Sequence, residues 1–163
     1  MTNSDAFSEV VRSELQGFEV ELLAGSPGEL RIAVRAENAF ALLTHLGSRP
    51  RLAMRRLVDL TAIDREGDPR RFEVVYRLHA PSLNERLRVH VGIGLDSPSL
   101  DSVVSLWPNA NWLEREAFDL FGIEFRGHPD LRRILLEADF EGAPLRKDYL
   151  RQPELGLPKE ATS

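Results

Sequence analysis

The chain has 163 residues, 42% hydrophobic and 29% charged, with a net charge of -5 and no cysteine. That length and balance suit one ordinary domain with a real core, and the negative excess argues against nucleic acid as the main partner, because phosphate binding needs positive charge. The missing thiols exclude disulfides, cysteine-held iron–sulfur clusters, thiolate zinc sites and cysteine nucleophiles in this chain.

The polar, acidic start MTNSDAFSEV is no secretory signal. No apolar run approaches the roughly 20 residues of a membrane span, so membrane association is expected only through a partner. Residues 4–16 show helical spacing, with Ser4 as a candidate cap and Phe7, Val10, Val11 and Leu15 on one side. Phe18, Val20 and Leu22 then alternate with Glu19 and Glu21, and Leu30, Ile32 and Val34 with Arg31 and Arg35. The Gly-Ser-Pro-Gly at 25–28 divides them, which predicts a β-hairpin with one dry face and acids opposing arginines on the wet one.

Residues 38–47 return to helical spacing and stop at Gly47. Leu57 to Ile63 is more uniformly apolar, as expected of a more buried strand. After a turn at 66–69 comes the clearest hairpin. Phe72, Val74, Tyr76 and Leu78 share one face, and Leu87, Val89, Val91 and Ile93 share one face of the next strand. Glu73, Arg77, His79, Arg86, Arg88 and His90 occupy the opposite faces. Such alternation predicts an antiparallel sheet with one wet side and helices over the other. The predicted fold is two-layer α+β, with a mostly antiparallel sheet, helices on one face and an extended C-terminal tail. A short helical turn is expected through Val103, Val104 and Trp107.

Residues 111–136 read NWLEREAFDLFGIEFRGHPDLRRILL. Asn111 can cap a helix, with Glu114 three residues on as the second half of a capping box, and Gly122 is a natural stop. Residues 112–121 then make a helix roughly 15 Å long, with Leu113, Ala117, Leu120 and Phe121 as its apolar stripe. Glu114 and Glu116 fall about 200° apart around it, so they cannot grip one substrate as an acid/base pair. Arg115 and Asp119 are spaced to pair along the helix, and Glu116 is left to find a partner. His128, between Gly127 and Pro129, sits in a turn with its ring free to hydrogen-bond. Arg132 and Arg133 suit a partner's carboxylates as well as an internal ion pair.

From Phe140 onward the chain carries three prolines and two glycines without a period. The division expected is therefore a domain over 1–139 and an arm over 140–163, which could reach roughly 80 Å if fully extended. No histidine spacing suits a metal, and there is no Gly-rich phosphate loop or Gly-x-Ser-x-Gly elbow. No residue is assigned a catalytic, cofactor-binding or metal-binding role. A stand-alone hydrolase using Glu116 and His128 would need both groups to converge in one cleft.

The stretch from Trp112 to Leu136, with GAPLRKDYL at 142–150, resembles the signature of the C-subunit family, or 30-kDa subunit family, of proton-pumping NADH:quinone oxidoreductase, respiratory complex I. The likeness is specific from about Trp107 to Tyr149, looser from Glu37, and absent over the first 35 residues. This chain has Ala143 where the family often has His, and Leu150 where it often has Pro. The resemblance implies a non-catalytic subunit of the peripheral arm on the cytoplasmic side of the inner membrane. Its implied partners are the hydrogenase-like large (D) subunit, which forms part of the quinone site, and the B, I and G subunits. Flavin, iron–sulfur clusters and quinone would be bound by those other subunits. By the same resemblance Glu114, Arg115, Glu116, Asp119, Gly122, His128, Pro129, Arg132 and Arg133 are signature positions. Pro144, Leu145, Arg146, Lys147, Asp148 and Tyr149 would begin the arm along the partner. Equivalent subunits of membrane-bound hydrogenases and of ferredoxin- or plastoquinone-linked complexes are the alternative.

Overall fold

The alternation at 72–93 is realised as a hairpin at the centre of a five-stranded sheet in the computed structural model, which describes residues 3–24 and 29–149. Strands β4 (Phe72–Ala80) and β5 (Glu85–Ile93) pair antiparallel, with Phe72 opposite Ile93 and Leu78 opposite Leu87. Every predicted inward residue of the two strands is buried. Around them run β1 (Val20–Leu23), β2 (Leu30–Arg35) and β3 (Arg56–Asp64), giving the order β1-β2-β5-β4-β3. One pairing, β2 with β5, is parallel and the others are antiparallel. The mostly antiparallel α+β sheet is therefore observed.

The apolar face of the sheet is covered by α2 (Ala36–Ser48), and α1 (Asn3–Glu14) joins the same core, the two helices burying Phe7, Val11, Leu42, Leu43 and Leu46. A third helix, α3 (Ala110–Phe121), lies against β3 and adds Ala117 and Phe121 to that core. The helical turn after Val103 is present, with Trp107 N–H donating to Val103 O at 2.9 Å.

Two expectations are corrected, and one feature is new. The apolar stretch from Leu57 to Ile63 forms the sheet's edge strand β3, and Val58 and Ile63 are exposed. Its apolar run reflects a bulge between Leu57 and Asp59 that turns Val58 outward, rather than burial on both faces. The first hairpin has the expected register, Val20 opposite Val34 and Leu22 opposite Ile32, and Glu19 pairs with Arg35. Leu22 at this outer edge is nonetheless exposed, and Glu21 faces Ala33 rather than an arginine. The turn at 25–28 lies outside the described residues. Finally, two short strands escape the sequence pattern. β6 (Ser99–Asp101) and β7 (Glu124–Arg126) flank α3 and pair parallel. At three residues each they are too short to show alternation.

Candidate functional site

Helix α3 stops at Gly122, as expected, in the left-handed conformation with φ 68°. Its start is different. The residue before the helix is Asn109, which makes no side-chain cap; its Nδ2 donates to Leu57 O at 2.8 Å. Asn111 lies inside the helix, so the capping box of Asn111 and Glu114 does not form.

Glu114 instead points into the protein and is fully buried. Its carboxylate accepts from Ser102 Oγ at 2.6 Å and from Val103 N–H at 2.7 Å, which ties α3 to the chain leaving β6. Burial pushes its pKa up to about 7, against the downward pull of those two bonds. His128 Nε2 is 4.0 Å away and donates to Asn111 O, while His128 Nδ1 accepts from Asp130 N–H. Both ring nitrogens thus form hydrogen bonds, as expected of a ring in this turn, and these fix its orientation. Glu116 lies on the exposed side of α3 with no partner among the described residues. Glu116 and His128 do not converge, so the hydrolase site has no basis here.

Arg115 and Asp119 do not pair along the helix. Each turns to the segment after the Gly-His-Pro turn. Arg115 donates to Arg132 O at 3.0 Å and Arg133 O at 3.2 Å, and its guanidinium lies over the Trp112 ring. Asp119 is fully buried and accepts from Arg133 Nη1 at 2.7 Å and from the amides of Ile134, Leu135 and Leu136. Burial alone would raise its pKa, but these four donors hold the carboxyl below its ordinary value. The i,i+4 pairing fails because four donors converge on the Asp119 carboxylate, while Arg115 is drawn to two carbonyls of the segment after the turn. Arg133 takes the internal alternative, and Arg132, on the surface, pairs with its near neighbour Asp130.

Residues 143–149 return to the domain. Leu145 N–H donates to Leu120 O, and Arg146 Nε donates to Phe121 O at 2.6 Å with its guanidinium over the Phe72 ring. Lys147 N–H reaches Asp64 Oδ2, and Asp148 meets Arg71, which also forks onto both oxygens of Asp64 at 2.9 Å. The Asp64 and Asp148 carboxyls are held low by the Arg71 guanidinium. Residues 150–163 of the expected arm lie outside the described residues.

Sequence reasoning missed Asp64, Arg71 and Ser102 as parts of this joint. Each is a polar residue at the end of a strand or beside one, with nothing in its immediate sequence to name a partner, and their partners lie 7 to 83 positions away along the chain. The surface that the joint presents is mixed. Trp112 is 61% exposed, Leu135 59% and Leu145 52%, with Glu116 on the same helix as Trp112. Among the described residues no cluster of three or more His, Asp or Glu is placed to hold a metal. None of the described helices is long and apolar enough to cross a membrane.

Comparison with known proteins gives this geometry a family. The chain is 44% identical over 149 residues to the C subunit of NADH-quinone oxidoreductase of Sinorhizobium medicae (strain WSM419), covering 90% of this chain and 73% of the relative. It is 48% identical over 122 residues to the corresponding C 1 subunit of Rhizobium meliloti (strain 1021), covering 75% of this chain and 60% of the relative. The chain thus spans about 60 to 73% of the length of these two relatives. Among solved structures, the trypsin-resistant fragment (1–134) of Nqo5 superposes with a TM-score of 0.64 at 33% identity, over 80% of this chain and all of that one. A chain of the archaeal membrane-bound sulfane sulfur reductase shares the fold, with a TM-score of 0.74 at 22% identity over 96% of this chain and 95% of that one. The family described as respiratory-chain NADH dehydrogenase, 30 Kd subunit, matches residues 32–154. A match over that much of the chain, running from within β2 through the rest of the sheet, α3 and the returning segment, means that the protein belongs to the 30-kDa subunit family of respiratory-chain NADH dehydrogenase.

Proposed function

We propose that the chain is a non-catalytic peripheral-arm subunit of a proton-translocating NADH:quinone oxidoreductase, and that it holds the hydrogenase-like large subunit in position beside the quinone site. The observation that supports this is the division of labour on α3. Its inward charges, Glu114, Arg115 and Asp119, are consumed by bonds within the chain, whereas Trp112 and Glu116 face outward unpartnered by side chains of other elements. An exposed tryptophan steadied by an arginine is a typical interface anchor. Flavin, iron–sulfur clusters and quinone are then held by other subunits, the B, I and G subunits being further neighbours. The assembly sits on the cytoplasmic side of the membrane, and the isolated chain turns nothing over. The domain over 1–139 would keep its fold alone, and an arm beginning within 140–163 would continue along the partner. The trypsin-resistant fragment of the Nqo5 relative supports a stable N-terminal unit of this size. The names carried by the relatives favour the NADH–quinone form over the equivalent subunit of a hydrogenase or of a ferredoxin- or plastoquinone-linked complex.

The test is purification of the tagged full chain from mildly solubilised membranes of its own cells. Wild type should bring down flavin and iron–sulfur subunits. Trp112→Glu with Glu116→Arg should reduce that recovery about tenfold or more, with the melting temperature of the isolated chain unchanged. Recovery of the chain alone, or turnover of NADH by the purified chain, would sink the reading.

A further inference from the structure

The open face of the sheet changes character from one end to the other. Towards the strand end that holds Phe72 and Ile93 its charges are paired: Arg35 with Glu19, and both Arg65 and His90 with Glu73. Towards the other end Arg56 lies opposite His79, and His79 lies opposite Arg86. Directly opposed residues point to one side, so the three form a row across β3, β4 and β5. They line a groove of about 640 Å³, with Arg55 beside them, and no described residue lining it is acidic. The guanidinium groups of Arg55, Arg56 and Arg86 make no ion pair among the described residues, and His79 Nε2 is buried without a hydrogen-bond partner. The bulge at Leu57 and Asp59 puts Val58 into the groove, and Trp107 forms part of its wall.

We propose that this groove receives an acidic segment of a partner polypeptide, with carboxylates against Arg55, Arg56 and Arg86 and an apolar side chain on Val58 and Trp107. The planar fork of arginine matches carboxylates, and arginine is enriched at protein interfaces. The whole chain, at -5, would repel an anionic bilayer or a polynucleotide. A short acidic segment meets only the local charge, because salt screens the rest beyond about 8 Å. Recognition comes through side chains rather than strand addition, since the carbonyls of Met54 and Leu57 beside the groove already accept from Trp107 Nε1 and Asn109 Nδ2.

The experiment places a photo-crosslinking benzoylphenylalanine at position 58 of the full chain in its own cells, followed by irradiation and mass spectrometry. A single crosslinked peptide with excess Asp and Glu is expected, and its yield should fall about tenfold in Arg56→Glu/Arg86→Glu. Both arginines are exposed, so that variant should melt with wild type; if it does not, Arg86→Gln alone must lower the yield. Crosslinks to a neutral or basic segment, to lipid or to nucleic acid, no crosslink, or a yield indifferent to the arginines would overturn the proposal. The acidity of the captured segment tests the groove. Its belonging to some other assembly would overturn the complex I reading and leave the groove intact.

Discussion

Arg133 Nη1 sits 2.7 Å from Asp119 Oδ1, while the other oxygen of the same carboxylate gathers the amides of Ile134, Leu135 and Leu136 at 3.0, 2.7 and 3.0 Å. One buried side chain on α3 therefore fixes the path of an irregular segment that has no strand or helix of its own. Three amides converging on one oxygen make a small anion nest, here filled from within the chain. Asp119→Asn keeps the shape but removes the charge and turns an NH2 towards donors. Loss of one partner from a buried charged network costs about 3–5 kcal/mol. Urea unfolding of the Asn variant should show a loss of that order, and a change under about 1 kcal/mol would mean that the nest is not formed.

Gly122 and Arg146 are coupled in the same way at the end of α3. Gly122 has φ 68°, and a Cβ there would come within 2.9 Å of Arg146 Nη2. Gly122→Ala should cost about 1 kcal/mol for the left-handed backbone alone, and more for displacing the guanidinium. Arg146→Ala removes the obstacle. The double variant should then lose less than the sum of the singles. Strict additivity in a double-mutant cycle would show that the Cβ does not reach Arg146.

The sheet was readable because its signal is local: Phe72 to Leu78 and Leu87 to Ile93 each carry their own alternation. The charges of α3 were half readable. Helical geometry correctly separates Glu114 from Glu116, but it cannot tell which of them is buried. It also favours Arg115 pairing with Asp119, since their spacing is visible, whereas the competing donors come from 14 to 17 residues away and have no spacing to read. An aspartate receiving backbone amides leaves no mark in the identities of the residues that donate them.

The returning segment is held by Arg71, and this carries a third expectation. Arg71 is buried, forks onto Asp64 and reaches Asp148. Lysine would keep the charge but cannot fork onto one carboxylate while reaching another. Arg71→Lys should therefore expose the chain around Lys147 and Tyr149 to trypsin while leaving the sheet folded. Asp148→Asn should do so more weakly, because that carboxyl is partly in water. Unchanged proteolysis in Arg71→Lys would show that other contacts hold the segment.

Glu114 supplies the pH dependence. Its carboxyl is fully buried in the folded chain, where burial raises its pKa from the ordinary 4.5 to about 7. The groups facing it are Ser102, the Val103 amide, His128 and Tyr76, none of which brings a fixed positive charge. A raised folded-state pKa means that the folded chain binds the proton more tightly than the unfolded one. Its stabilising effect is full below about pH 4.5 and is lost as pH rises through about 7, a swing of about 3 kcal/mol. Asp64, Asp119 and Asp148 act in the opposite sense, since their lowered values give stability that disappears only as pH falls below about 4. Glu114→Gln cannot ionise, and the difference between its stability and that of wild type cancels every other titrating group. That difference should move in favour of the Gln variant by about 3 kcal/mol between pH 5 and pH 8. A difference flat across that range, measured by denaturant unfolding, would show that the folded chain leaves the Glu114 carboxyl as accessible to solvent as the unfolded one does.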